Sequence, residues 1–61
     1  MKELPLLQAE LAEAYADLED TERMDEEAAC FHRGTETKKD AIQNIIDWIE
    51  SLTEQIEVAE Q

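Results

Sequence analysis

The chain has 61 residues, 43% of them apolar, and seventeen Asp and Glu face five Lys and Arg for a net charge of −12. That length allows one small domain (1–61), which buries a modest share of its surface and is marginal unless cross-linked or oligomeric. The charge opposes nucleic acid and anionic membranes, a single cysteine (Cys30) excludes an internal disulfide, and Cys30 with His32 alone is too little for structural zinc.

The first helical region opens at Pro5, whose missing N–H costs nothing in the first turn of a helix. Leu4, Leu7, Leu11, Ala14 and Leu18 then recur at steps of three and four, with Tyr15 beside them. That spacing puts them on one helical stripe. The stripe fades through EDTERMDEE (19–27), where only Met24 is apolar, and returns with Ala28 and Phe31. No Gly or Pro interrupts this region, and Glu, Arg, Met and Ala are good helix formers. One continuous helix over about 4–33 is therefore expected. A kink near 20–25, with Asp20 or Thr21 capping a second segment, is the competing reading.

Gly34 fits the residue just past a helix end, where a left-handed backbone is needed. RGTETKK (33–39) is the obvious connector, with the turn itself at about 34–36. Thr37 is the expected N-cap of the next helix, with Asp40 three residues on in the capping-box position; Thr35 competes for that role. From about 37 to 59, Ile42, Ile45, Ile49, Leu52, Ile56 and Ala59 hold a 3-4-3-4-3 spacing, flanked by Ile46 and Trp48. The flanks widen this stripe beyond what one neighbouring helix covers.

Together these elements predict an all-α fold, an antiparallel two-helix hairpin. Folding the chain at residue 35 makes contacting positions total about 70, so that Leu18 meets Leu52, Ala14 meets Ile56 and Leu11 meets Ala59. Leu4 and Leu7 then overshoot the second helix, and Ile45, Trp48 and Ile49 are only half covered. Two hairpins packed face to face bury both remainders in a four-helix bundle. The expected self-association surface of this homodimer is thus Leu4, Leu7, Ile45, Trp48, Ile49, Leu52 and Ile56. Trp48 is placed at the subunit interface, because Trp is enriched at interface hot spots.

The charge is uneven. Residues 1–31 balance to −8, residues 32–39 to +2 and residues 40–61 to −6. His32, Arg33, Lys38 and Lys39 form the one basic cluster. It is a candidate partner contact, although cations at the end of the first helix also complement its dipole. Lys38 and Lys39 sit at the wrong end of the second helix for that purpose.

Glu26, Glu27, Cys30 and His32 do not make a metal site. Three residues after Glu27 stands Cys30, not His, and Cys30 and His32 diverge on a helix. No cofactor is implied. A single His without a carboxylate at a telling position forms no triad, so a non-enzyme is expected. No apolar run approaches the ~18 residues of a membrane span. Acids inside MKELPLLQAELAEAY argue against a signal peptide, and a lone thiol points to the reducing cytoplasm.

The acid-rich AELAEAYADLEDTERMDEEAA stretch and the compact DAIQNIIDWIESL helix, in so short a chain, resemble in format the small acidic helical accessory proteins of temperate phage early regions. The lambdoid phages carry such a set between their exonuclease and excisionase genes. The resemblance implies an early regulatory protein acting on host or phage proteins in the bacterial cytosol, and transfers no site residues. The residues themselves point to a protein-protein interaction module without direct nucleic-acid or membrane binding. The alternative is a mimic of DNA, of the anti-restriction or anti-CRISPR type, or an antitoxin neutralising a basic protein.

Overall fold

A computed structural model describes residues 3–61. Met1 and Lys2, part of the expected 1–61 domain, lie outside the described residues. The fold is all-α, with no strand among the described residues. Among the described residues three helices follow one another: α1 (Leu4–Arg23), α2 (Glu26–Arg33) and α3 (Lys38–Glu60). Both α1 and α2 pack against α3. The resulting body measures 40 × 15 × 14 Å, little more than a helix pair in cross-section.

Local chemistry explains most of the boundaries. Pro5 occupies the first turn of α1. Gly34 closes α2 with φ 68°, the left-handed conformation that an L side chain adopts only at a cost. Its N–H donates to the Cys30 carbonyl, as does the Thr35 N–H at 3.0 Å. Thr37 accepts the Asp40 N–H at 3.1 Å and starts α3. Thr35 does not compete for that cap; its hydroxyl donates to the Thr37 carbonyl at 3.0 Å.

The single helix expected over 4–33 is not what forms. Met24 and Asp25 adopt extended backbone (ψ 151° and 172°) and divide it into α1 and α2. Asp25 is the cap responsible, not Asp20 or Thr21: its carboxylate accepts the Ala28 N–H at 2.8 Å. A side-chain cap of this kind satisfies one of the orphan donors that a new helix start creates. Glu26 and Glu27 in the first turn and His32 and Arg33 in the last add favourable dipole interactions at both ends of α2.

The break resets the helical phase, and this corrects two expectations. Ala28 and Phe31 continue the stripe of α1 only along an unbroken helix. After two extended residues, Ala29 is the buried residue of α2, while Ala28 is exposed and Phe31 is 91% exposed. Lys38 Nζ donates to the Glu22 carbonyl at 2.8 Å, which sets the start of α3 beside the end of α1.

The core is built from α1 and α3. Leu7, Ala14, Ile45, Ile49 and Leu52 form one buried cluster, with Leu11, Leu18, Trp48 and Ile56 packed against it. Leu7 does not overshoot; it is 1% exposed. Leu4 is half-buried. Thr21, seven residues beyond Ala14, keeps the buried line of Leu7 and Ala14 going, and it too is fully buried. A threonine does not register in an apolar pattern, so the spacing of apolar residues does not reveal it.

Candidate functional site

Among the described residues two regions of the surface carry chemistry beyond packing, and both involve α2. The first is a polar joint. Asp17 on α1 takes His32 Nε2 at 2.7 Å on one carboxylate oxygen, and Arg33 Nη1 donates to the other at 3.0 Å. Arg33 Nε also donates to Asn44 Oδ1 on α3 at 3.2 Å, and its guanidinium lies 5.9 Å from the centre of the Trp48 ring. One arginine therefore ties together all three helices. Asp17 and Arg33 are about four-fifths shielded from solvent, which reduces screening and gives the pair more weight than an exposed ion pair.

The expected basic cluster is thus largely spoken for inside the chain. His32 and Arg33 bind Asp17. Lys38 donates its side-chain amine to the Glu22 carbonyl, one of the orphan acceptors in the last turn of α1, and its backbone N–H to the Glu26 carboxylate. A lysine at the start of α3 is explained by the end of α1 beside it: it caps a neighbour's C-terminus, where a cation complements the dipole. Lys39 is exposed.

The predicted self-association residues are also mostly internal. Leu7, Ile45, Ile49 and Leu52 are buried in the core of one chain, and Leu4 and Ile56 are half-buried. Trp48 packs at the core edge beneath Arg33. Of the surplus apolar width read from the sequence, Leu7, Ile45 and Ile49 are buried within one chain, and Leu4 and Trp48 are half-buried.

The second region is the outer face of α2. Asp25, Glu27, Ala28 and Phe31 line an open groove of about 350 Å³. Phe31 forms its aromatic wall, and the two carboxylates make it acidic. On the same helix Cys30 is half-buried, and its Sγ donates to the Glu26 carboxylate at 3.8 Å. Partial burial first, and the Glu26 carboxylate next, push the Cys30 thiol above its ordinary range.

No group of three or more His, Cys, Asp or Glu side chains among the described residues is placed to hold a metal ion. Cys30 and His32 turn to different partners, Glu26 and Asp17. None of the described helices is long and apolar enough to cross a membrane.

Compared with protein-family models, curated proteins and solved structures, the chain gives no significant match. The likeness to phage early proteins therefore rests on sequence format alone, and the functional reading rests on the geometry.

Proposed function

We propose that this chain is a small acidic interaction module whose target is another protein. The observation that carries the reading is the exposure of Phe31 on a short helix that the chain folds back and fixes in place. Burying a phenylalanine gains about 1.5–3 kcal/mol, and a continuous helix would have had the same residue in reach of its apolar stripe. The fold instead holds it outward on a capped, ion-paired support. Aromatic side chains presented on rigid supports suit protein recognition, because little ordering remains to be done on binding.

In this reading α1 and α3 form an antiparallel hairpin, and α2 is a third arm laid against it. The dimeric four-helix bundle has less in its favour. Four of the seven side chains it required at the interface, Leu7, Ile45, Ile49 and Leu52, lie within one chain's core, and among the described residues the exposed large apolar side chains are Leu6, Tyr15, Phe31 and Val58. Mimicry of DNA is the second reading, supported by the acidic balance of both the first and last segments of the chain.

Capture from a bacterial lysate at low and high salt tests the proposal. A specific protein retained at both salt concentrations is the expected result. Retention of basic proteins that is lost steeply with salt, with duplex DNA as competitor, would favour mimicry. Saturable binding of the pure chain to duplex DNA would defeat both readings. Sedimentation of the pure chain at micromolar concentration settles the bundle: a stable 7 kDa species excludes it.

A further inference from the structure

We infer that the α2 groove around Phe31 is a docking site for a basic protein segment that presents an arginine next to an apolar side chain. This rests on the protein-binding reading above and assigns that binding to a place and a partner chemistry.

Three observations define the site. Phe31 is 91% exposed, so nearly all of its ring is available to a partner. Its neighbours in the groove are the Asp25 and Glu27 carboxylates and the small side chain of Ala28, which leaves the ring accessible from that side. The basic residues of the same helix do not neutralise this face, because His32 and Arg33 are bound to Asp17 on α1. An aromatic ring bordered by carboxylates is thus presented on a helix whose start is fixed by the Asp25 cap and whose end is fixed by the Asp17 joint.

Charge decides the occupant. A second copy of this chain also carries −12, and pairing two Phe31 faces would bring Asp25 and Glu27 against their own duplicates. Such like-charge juxtaposition at an interface is strongly unfavourable. Nucleic acid is repelled for the same reason. A basic protein segment is attracted over long range and held at short range. Arginine suits the site better than lysine: its planar guanidinium stacks on an aromatic face while its N–H fork engages carboxylates. The chain already contains such an arrangement, with Arg33 over Trp48 and bonded to Asp17. An apolar neighbour in the partner segment fills the remaining groove against Phe31 and Ala28.

The test uses a labelled synthetic amphipathic peptide of Arg, Leu and Ala, with two comparison peptides in which every Arg is replaced by Lys or by Gln. Binding to the full chain is followed by fluorescence anisotropy and by amide chemical-shift mapping. The expected result is one-to-one binding in the order Arg, then Lys, then Gln, with shifts centred on residues 25–31. Phe31→Ala is expected to weaken binding by about tenfold or more, as for a hot-spot aromatic, with an unchanged circular dichroism spectrum and melting temperature. Glu27→Gln is expected to weaken the Arg peptide and leave the Gln peptide unaffected. Shifts spread over the acids of α1 and α3, with Phe31→Ala binding as the parent does, would overturn the assignment. Dimerisation of the parent chain that Phe31→Ala abolishes would overturn it in favour of a second copy. Lysate capture by Phe31→Ala separates the two levels of the argument. A partner retained equally by parent and variant leaves the protein-binding reading standing and removes Phe31 from it.

Discussion

Thr21 offers the sharpest test of the packing. Its side chain is fully buried on the line of Leu7 and Ala14, and its hydroxyl has no hydrogen-bond partner among the described residues. Leaving a buried hydroxyl unsatisfied costs about 1–3 kcal/mol, whereas replacing it with an apolar group of the same shape removes that cost. Valine is the shape-matched replacement. Its intrinsic helix propensity is close to that of threonine, so the backbone contributes little to the difference. Thr21→Val is therefore expected to stabilise the chain by about 1–2 kcal/mol. In a domain of this size each kcal/mol corresponds to roughly 4–8 °C in melting temperature. Thr21→Ser supplies the reciprocal control: it keeps the hydroxyl and deletes the buried methyl, for a loss of about 1 kcal/mol. Thermal and urea unfolding followed by far-UV circular dichroism measure both variants, and an unchanged urea m-value shows that the surface exposed on unfolding is the same. If Thr21→Val melts below the parent while Thr21→Ser melts with it, the hydroxyl is bonded in solution and the reasoning fails.

Gly34→Ala is expected to destabilise by about 1–2 kcal/mol, the cost of a left-handed backbone for an L residue; no atom crowds the position, so strain alone is at stake, and Gly34→Asn should lose less. Asp25→Ala removes the cap of α2 and should cost about 0.5–2 kcal/mol, with a loss of amide protection concentrated in residues 26–33 by hydrogen exchange. Asp17→Ala leaves Arg33 shielded from solvent without its carboxylate, for an expected loss of about 1.5–3 kcal/mol, whereas Glu19→Ala at the exposed Arg23 pair should change little. The raised Cys30 thiol has the opposite sign to an activated cysteine: at a given alkaline pH it carries less thiolate than an unfolded one, so alkylation by iodoacetamide should be slower in the native chain than in urea, and Glu26→Gln should speed the native reaction. Alkylation equally fast in native and unfolded chain would contradict that placement. Added salt should raise the melting temperature by screening the repulsion among charges that total −12.

What the amino-acid order decides alone is what depends on neighbours a turn or so away. Helix type follows from the 3-4 spacing of Leu7, Leu11, Ala14 and Leu18 and of Ile45, Ile49, Leu52 and Ile56. The connector follows from Gly34, whose backbone suits it to a left-handed C-cap, and from Thr37, whose hydroxyl reaches the Asp40 N–H. Those are local interactions, complete within a few residues, and they are legible without knowing what packs where. The break at Met24 and Asp25 is of another kind. Residues 19–27 contain good helix formers and a competent cap together, so local propensity admits both a continuous and a divided helix. The choice falls to long-range contacts: only the divided chain lets Leu7 join the core with Leu52, lets Asp17 reach Arg33, and sets Lys38 against the end of α1. The phase of α2 is decided at the same moment. Two extended residues turn Ala29 inward and Phe31 outward, and no periodicity counted along the sequence survives such a reset. The candidate site was invisible for that reason, since its aromatic wall reads in the sequence as the last member of a buried stripe.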